Sequence, residues 1–243
     1  MEPLGFSNPQ IQRLRRLLGR RSARWEEGAF VVEGATLVAE AVRAGWEVEA
    51  QFVAPGAQAV PGIRTYELAA GVLERVASTE SPQPVLAIVR MQHPAPAVEF
   101  QRVVVCAGVS DPGNLGTILR SSEAAGFDLV ALTPGSVDPY SPKTVRASAG
   151  AIFHVPVLVD AEPGRLGVEL IGTSSHLGSP FTETDLTGRV GIVIGSEAHG
   201  VPDDVHVSRW VTIPHLGRSE SLNAAMAATL VVFEVMRQQR DGK

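Results

Sequence analysis

The stretch Val103–Phe127 reads VVVCAGVSDPGNLGTILRSSEAAGF. It opens with five consecutive apolar residues, a run typical of a strand that is covered on both faces. Turn formers at 111–114 follow, and from Leu115 onward apolar residues recur at helical spacing. Gly126 is a favourable residue for ending that helix. The stretch therefore predicts a buried strand, a tight turn and a helix, as in an open α/β sheet.

Two polar residues, Asn114 and Arg120, belong to this predicted helix. Asn114 lies at the helix start and Arg120 about two turns further on. An amide and a guanidinium near the carboxyl end of a parallel strand occupy the place where open α/β sheets usually bind ligands. A plainer interpretation is also open, in which Asn114 caps the helix and Arg120 is solvated.

Composition limits the class of protein. The chain has 243 residues, enough for one large domain or two small ones, and a formal net charge of −5. Cys106 is the only cysteine, so an intrachain disulfide is excluded and a reducing compartment fits. No apolar run approaches the roughly 18 residues of a membrane span, and the first ten residues lack a signal peptide's apolar segment. We expect a cytoplasmic protein without membrane contact. With one cysteine and scattered histidines, we expect no metal site.

A block of arginines interrupts the acidic balance. It lies between residues 11 and 24, contains no acid and coincides with a predicted first helix that carries an apolar stripe. Such a block can bind phosphate groups even though the whole chain is acidic. It can equally be a solvated helix face. Its members are Arg13, Arg15, Arg16, Arg20, Arg21 and Arg24.

The first 93 residues read as a small α/β unit. Patterns of strands occur at 30–34, 48–54 and 85–91, and patterns of helices at 36–42 and 68–76. Prolines and alanines alternate at 94–97, and proline-rich segments form stiff connectors. We therefore predict a first domain at 1–93, a linker at 94–99 and a second domain at 100–243.

The second domain continues the α/β pattern. Its further strands are predicted at 128–132, 155–159, 168–172, 190–194 and 210–213, with a short helix at 140–150 and a long one at 221–238. Only about eight residues separate the strands at 155–159 and 168–172, whereas a parallel crossover usually needs a dozen or more. We therefore expect no ordinary helix between these two strands.

Three segments of the second domain occur together in a specific order. They are NLGTILR at 114–120, IGSEAHG at 194–200 and IPHLGRSESLNAAM at 213–226. This set resembles the three motifs of the SpoU (TrmH) family of RNA ribose 2′-O-methyltransferases, within the SPOUT superfamily. PKTVRASAGAIF at 142–153 also looks like a family segment. The first domain is similar to the substrate-binding domain of many members through FVVEG at 30–34 and STESPQ at 78–83.

The resemblance implies a fold, a cofactor and an assembly. The family's fold is a parallel α/β sheet whose C-terminal part is threaded into a deep trefoil knot. The resemblance further implies S-adenosylmethionine bound in the knot, and a homodimer with active sites at the interface. The apolar face of the helix at 221–238 fits such a dimer, although it fits ordinary core equally well. The short connection at 159–168 departs from the family, in which a helix is expected.

The resemblance also assigns catalytic residues. Arg120 occupies the catalytic arginine position, where it acts either as the base or, since an arginine normally stays charged, as a stabiliser of the developing alkoxide. Asn114 would orient Arg120 or the ribose. Glu197 would order its loop or accept a hydrogen bond from substrate, unless it is a plain turn carboxylate. Ser221 and Asn223 look like polar site residues, and Asn223 could instead bond its own backbone.

The expected cofactor site combines glycines with apolar and polar residues. Two glycines would let the backbone approach the cofactor closely, and Ile213 and Leu222 match positions that hold the adenine. The cofactor-binding set is Thr173, Gly195, Gly200, Ile213, Leu222 and Asn223.

The expected partner is RNA, held by basic residues of both predicted domains. The extra N-terminal domain favours ribosomal RNA, most of all 23S ribosomal RNA, over transfer RNA, by family analogy only. The RNA-binding candidates are Arg13, Arg16, Arg20, Arg21, Lys143 and Arg146.

Other functions remain open from the sequence. One is a dinucleotide-binding oxidoreductase, although the turn at 113–116 lacks the third glycine and the spacing of GxGxxG. Another is a non-catalytic RNA-binding protein, against which the intact polar motif residues argue. Within the family, a transfer-RNA methyltransferase and an antibiotic-resistance methyltransferase of ribosomal RNA carry the same motifs.

Overall fold

Two units make up the chain in the computed structural model, which describes residues 2–77, 81–92, 99–218 and 221–241. The first unit contains Met1–Gln92 together with Tyr140–Phe153, and the second contains His93–Pro139 and His154–Lys243. Each unit has its own β-sheet. The first three residues of STESPQ and most of the predicted linker, 94–98, lie outside the described residues.

The helices and strands alternate along most of the chain. In chain order they are α1 (Pro9–Gly19), α2 (Arg21–Glu27), β1 (Ala29–Glu33), α3 (Ala35–Arg43), β2 (Val48–Val53), β3 (Thr65–Glu67), α4 (Val72–Val76), β4 (Val85–Arg90), β5 (Arg102–Ala107), α5 (Pro112–Ala124), β6 (Leu129–Leu132), α6 (Pro142–Ala147), β7 (Val157–Leu158), β8 (Glu169–Ser174), β9 (Ser179–Pro180), β10 (Val190–Gly195), β11 (Arg209–Thr212) and α7 (Ala224–Asp241).

The sheet of the first unit has the strand order β1-β4-β2-β3. Strand β4 runs antiparallel to both of its neighbours, and β3 runs parallel to β2. Helix α1 covers the sheet because its residues at helical spacing, Ile11, Leu14 and Leu17, are fully buried against Phe52 and Leu86. The apolar stripe that the sequence predicted on this helix is therefore its core face.

The arginine block extends over two helices, although the sequence predicted one. Helix α1 ends at Gly19, Arg20 is extended with φ −127° and ψ 120°, and α2 begins at Arg21. Arg24 is only 4% exposed. Its Nη1 donates to the carbonyl oxygens of Leu17 and Leu18, at 2.6 and 3.3 Å. Arg24 thus satisfies the free carbonyls at the end of α1, and its assignment to a solvated or phosphate-binding face is wrong.

The segment Tyr140–Phe153 packs in the first unit, although the sequence assigned it to the second domain. The Tyr140 ring lies 4.8 Å from that of Phe30, and the Trp46 ring lies 5.5 Å from that of Phe153, between centroids. The Trp46 Nε1–H also donates to the Phe153 carbonyl oxygen at 3.0 Å. Aromatic contacts of this kind and a partly buried hydrogen bond fix the returning segment.

The second unit is built on a sheet of seven strands in the order β7-β6-β5-β10-β8-β11-β9. All of its strand pairs are parallel, which confirms the predicted parallel α/β architecture. The central strand β10 is buried along its whole length. Its last residue, Gly195, is in register with Ala107 at the end of β5. The loops that follow β5 and β10 therefore leave the sheet at the same edge.

The connection between β7 and β8 contains a single 3₁₀ turn, Pro163–Arg165, and no α-helix, as the spacing predicted. These two strands are not neighbours, because β6, β5 and β10 lie between them. Ala161 and Leu166 are buried in one cluster with Val103 and Leu129 of β5 and β6. The short connection thus covers one face of the sheet with its own side chains.

Candidate functional site

Helix α5 presents Asn114 at its first turn. Pro112 occupies the first turn, and the N-cap is Asp111, whose Oδ1 accepts a hydrogen bond from the Asn114 N–H at 2.8 Å. Asn114 is therefore not the helix cap, and the plainer interpretation of this residue is wrong. Because Asp111 caps the backbone, the Asn114 amide is available for contacts with other parts of the chain.

The Asn114 side chain joins the two other motifs. Its Nδ2 donates to Oε1 of Glu197, in the loop after β10. Its Oδ1 accepts a hydrogen bond from Nδ2 of Asn223 at 2.9 Å. One amide group thus uses both its donor and its acceptor to hold residues 83 and 109 positions further along the chain. The structure brings three of the five predicted catalytic residues together.

Asn223 has a second contact, with the first turn of α7. Its Oδ1 accepts from the backbone N–H groups of Ala225 and Met226, at 3.0 and 3.2 Å. The sequence left two alternatives for Asn223, a hydrogen bond to its own backbone or a role in the site. In the structure Asn223 does both, because it caps the start of α7 and also donates to Asn114. Helix α7 is also joined to α5 by a hydroxyl pair, Ser121 Oγ and Thr229 Oγ1, 2.6 Å apart.

The loop after β10 is closed tightly on itself. The N–H of Ser196 donates to the Gly200 carbonyl, and the N–H of Gly200 donates to the Ser196 carbonyl, both at 2.9 Å. Gly200 has a φ of +69°, a conformation that favours glycine. A Cβ on Gly195 would collide with the backbone of Gly200. The two motif glycines therefore permit the turn that carries Glu197.

A cavity of about 460 Å³ opens beside this loop. Its walls come from the end of β8, the loop after β10 and the segment between β11 and α7. The volume is typical of a small-molecule site. All six predicted cofactor residues line it: Thr173, Gly195, Gly200, Ile213, Leu222 and Asn223.

The residues in this cavity suit a ligand that is part apolar and part polar. Ile194, Ile213 and Leu222 give an apolar surface, and Thr173 donates its hydroxyl to the Val193 carbonyl at 2.9 Å, which ties β8 to β10. The Nε2 atom of His215 is buried and has no hydrogen-bond partner among the described residues. Buried polar atoms are normally paired, so this imidazole fits a site in which a bound ligand supplies the partner.

Sequence reasoning missed several of the residues that line the cavity, among them Trp210 and Leu177. Trp210, on β11, is packed so closely over Gly172 that a Cβ there would lie 2.6 Å from the indole Cε3. Leu177 is half exposed beside it. Strand β11 has only four residues, so the alternation of its apolar and polar side chains does not indicate the face on which Trp210 lies. The one signal was Gly172, since a glycine inside a strand often marks a place where another group packs closely.

The other catalytic candidates lie in different positions. Glu197, Ser221 and Asn223 line the cavity, whereas Asn114 and Arg120 do not. Arg120 is exposed on α5, and within the described residues it has no hydrogen bond or ion pair. Within the described part of a single chain, Arg120 therefore forms no hydrogen bond or ion pair with the group formed by Asn114, Glu197 and Asn223.

The predicted RNA-binding residues differ in their surroundings. Arg13 donates to Glu27 and Glu49, each at 2.6 Å, and its pKa is raised by the hydrogen bond to Glu49, although burial opposes this. Arg146 donates to the buried Glu33 at 3.1 Å. Arg16 forms a longer pair with Glu27, at 3.3 Å. Arg16 is nevertheless exposed, as are Arg20, Arg21 and Lys143.

Two further observations concern metals and membranes. Within the part of the chain that the structure describes, no group of three or more His, Cys, Asp or Glu side chains is placed to hold a metal ion. In the same residues, none of the helices combines the length and the apolar character that crossing a bilayer requires.

Comparison with known proteins gives relatives for both units. The model of the SpoU rRNA Methylase family matches residues 101–233, and that of the MRM3-like substrate binding domain matches residues 8–87. The 23S rRNA (guanosine(2553)-2′-O)-methyltransferase RlmP of Bacillus subtilis (strain 168) is 31% identical over 232 residues, which cover 90% of this chain and 92% of RlmP.

A sequence match and a solved structure from Streptomyces viridochromogenes extend this likeness. A 23S rRNA (uridine(2479)-2′-O)-methyltransferase is 30% identical over 268 residues, covering 97% of this chain and 92% of that protein. The crystal structure of the SpoU methyltransferase AviRb in complex with AdoMet superposes with a TM-score of 0.86 and 28% identity, over 97% of this chain and 100% of that one. The family match, the relatives and the joined motifs agree: this chain belongs to the SpoU rRNA methylase family.

Proposed function

We propose that this protein transfers a methyl group from S-adenosylmethionine to a ribose 2′-hydroxyl of 23S ribosomal RNA. The observation that carries the proposal is the hydrogen-bonded group of Asn114, Glu197 and Asn223, which unites three distant motifs beside one cavity. The related proteins RlmP and the Streptomyces viridochromogenes enzyme are named for this reaction on 23S ribosomal RNA.

The cavity fits the cofactor in size and in chemistry. S-adenosylmethionine supplies the activated methyl group when it is bound. The apolar side chains of Ile213 and Leu222 would hold the adenine, and the Gly195–Gly200 turn would let backbone groups approach the polar parts of the molecule. Thr173, whose hydroxyl oxygen can still accept a hydrogen bond, and the Nε2 of His215, which has no partner among the described residues, are among the polar groups available for its remaining atoms.

The motif residues would position the RNA beside the cavity. Transfer requires the ribose oxygen about 3 Å from the methyl carbon and in line with it, so the rate depends on positioning. Glu197 lies at the cavity wall with its carboxylate held by Asn114. From there it can accept a hydrogen bond from the ribose. Ser221, on the same wall, can contact the same nucleotide.

Arg120 would act from the neighbouring subunit of a homodimer. It is exposed and lies apart from the cavity of its own chain. Helix α7 has a stripe of exposed apolar side chains, with Met226 63%, Leu230 44% and Phe233 39% exposed, opposite its buried valines. A second copy that covers this stripe would bury apolar surface. A charged Arg120 brought to the partner's site would stabilise the developing alkoxide.

A trefoil knot in the second unit is part of the same proposal. The order of the sheet supports it, because β11 lies beyond β8 while α7 returns to pack on α5 and β10. Mechanical unfolding tests it, since a knotted chain that is pulled from its ends stays shorter than a free chain of 243 residues. Action on ribosomal RNA further supports a cytoplasmic location.

The decisive experiment is methyl transfer in vitro. The purified protein is incubated with S-adenosylmethionine labelled in the methyl group and with an unmodified 23S ribosomal RNA transcript, and the labelled nucleotide is mapped as a 2′-O-methyl site. Methyl transfer to a transfer-RNA pool, and not to the 23S transcript, would show that transfer RNA is the substrate. Calorimetric binding of a nicotinamide dinucleotide, without binding of S-adenosylmethionine, would overturn the proposal.

A further inference from the structure

We propose that Arg15, Phe6 and Arg75 form a phosphate clamp through which the first unit binds the RNA backbone. The inference rests on the proposed function for its partner, but it concerns residues outside the methyl-transfer site. Arg15 lies on α1, Arg75 on α4, and the Phe6 ring between them.

The clamp is built around the aromatic ring. The guanidinium carbon of Arg75 lies 3.7 Å from the Phe6 centroid, and that of Arg15 lies 4.7 Å from it. Gln12 holds Phe6 and Arg15 in place, because its Nε2 donates to the Phe6 carbonyl at 2.6 Å and its Oε1 accepts from Arg15 Nη1 at 3.2 Å. Contact of a guanidinium with a ring face stabilises its position, so the two cations are ordered before any ligand arrives.

Among the residues that the structure describes, no acid is paired with the charges of the clamp. Within the described residues, neither Arg15 nor Arg75 takes part in an ion pair, and both side chains are exposed. Glu74 is the neighbour of Arg75 in sequence, but adjacent residues of a helix do not face each other. Elsewhere in the arginine block, Arg13 is held by two glutamates and Arg24 by backbone carbonyls. Unlike these two arginines, the clamp pair has no acidic or backbone partner among the described residues that would compete with a phosphate for its charge.

The geometry suits a phosphodiester. Both guanidinium carbons lie close to one centroid, so they are no more than roughly 8.5 Å apart. One phosphate between them, or two successive phosphates, would accept charge-assisted hydrogen bonds from both forks. Because guanidinium groups cover the Phe6 ring, that ring is not offered to bases for stacking. The clamp should therefore bind RNA by its backbone, with little preference for sequence.

The test compares two double variants of the full chain with the wild type. Arg15→Gln/Arg75→Gln removes the clamp charges. The control Arg43→Gln/Arg165→Gln makes the same change of net charge at two exposed arginines, each paired with a glutamate three residues before it. Affinity for the 23S transcript is measured at four salt concentrations, and kcat and KM with S-adenosylmethionine and the same transcript.

For the clamp variant we expect the slope of log K against log salt to flatten by roughly 1.4 to 1.8, the loss of two phosphate contacts. KM for RNA should rise roughly tenfold while kcat stays within twofold, because backbone contacts position the substrate without entering the chemistry. Arg15→Lys/Arg75→Lys should restore the slope, since the slope counts charges, while it binds more weakly than the wild type because lysine lacks the planar fork. A purely structural role would not give this rescue.

The outcomes separate the clamp from the function on which it rests. A clamp variant with the slope of the wild type and of the control overturns the clamp, whatever its activity. A wild type that binds the transcript with the expected slope, yet transfers no methyl group to any RNA, overturns the proposed function and leaves the clamp supported.

Discussion

The Nδ2 of Asn223 donates a hydrogen bond to the Oδ1 of Asn114 at 2.9 Å, between residues 109 positions apart in the chain. The same asparagine accepts two backbone N–H groups at the start of α7. The amide of Asn223 therefore has a fixed orientation. Through its hydrogen bonds the first turn of α7 is held next to the first turn of α5. Glu197 receives its position from the other side of Asn114.

The first prediction separates these two contacts of Asn223. Asn223→Asp keeps a good helix cap but places a carboxylate opposite Asn114, so that whichever way Asn114 turns, its carbonyl oxygen faces a carboxylate. We expect kcat to fall at least about tenfold while Tm changes by less than roughly 2 °C. Asn223→Ala loses the cap as well and should also lose about 1 kcal/mol of unfolding free energy. Wild-type kcat in the aspartate variant would show that the pairing with Asn114 has no role in transfer.

A second prediction concerns the turn beside the cavity. Gly195→Ala introduces a Cβ that collides with the Gly200 backbone, so the turn must open and the cavity wall must move. Calorimetry should show affinity for S-adenosylmethionine reduced by at least about tenfold. Gly188→Ala is the matched control, because nothing lies within 4 Å of its added Cβ. Equal affinity of the two variants for S-adenosylmethionine would show that the turn does not contribute to cofactor binding.

The third prediction tests whether Arg120 acts across subunits. Arg120→Ala should abolish transfer but keep cofactor affinity within a few fold, since Arg120 does not line the cavity. Co-expression with a Gly195→Ala chain should then restore about a quarter of wild-type activity, because half of the dimers carry one complete site. No recovery in the mixture would place the action of Arg120 within its own chain. If Arg120→Ala alone retained more than a tenth of wild-type kcat, Arg120 would not be a catalytic residue.

The fourth prediction addresses the exposed stripe of α7. Leu230→Glu should disrupt the proposed dimer, because it places a charge in the middle of an apolar contact surface. Light scattering at micromolar concentration should report one chain of 25.7 kDa for this variant and twice that mass for the wild type. Val42→Glu is the control, since Val42 of α3 is 43% exposed and Leu230 is 44% exposed. A monomeric wild type would contradict the dimer directly.

The fifth prediction follows from the buried thiol of β5. Burial raises the pKa of Cys106 to about 12. The folded thiol therefore keeps its proton above pH 9 while the unfolded thiol loses it, and the unfolding free energy should fall by up to about 1.4 kcal/mol per pH unit between roughly pH 9 and 12. Cys106→Ala should lack this contribution, so its stability should decline less steeply. Identical pH slopes in denaturant titrations would contradict it.

The sequence predicted local features of the fold well. The apolar run at 103–107, the turn at 111–114 and the glycine at 126 correspond to β5, the cap of α5 and its end. These features depend on neighbouring residues and their spacing, which a sequence displays directly. The two- and three-residue strands β9 and β3 were missed, because so few residues show no alternation.

Pairings over long distances could not be predicted in the same way. The sequence placed Asn114, Glu197 and Asn223 in three motifs, but nothing in their spacing specifies which amide faces which carboxylate. The burial of Arg24 also had no signal, since an arginine that binds backbone carbonyls looks in the sequence like one that binds solvent. Such contacts depend on how the elements pack, and only the folded chain contains that information.

The return of Tyr140–Phe153 to the first unit has a consequence for how this protein can be divided. The chain passes from one unit to the other three times, so neither unit corresponds to an uninterrupted piece of the gene. A fragment that stops at Gln92 would lack Tyr140 and Phe153, and the rings of Phe30 and Trp46 would lose those partners. Exchange of the substrate-binding part between relatives by a single recombination point would have the same defect. A functional chimera must therefore carry both pieces from the same parent.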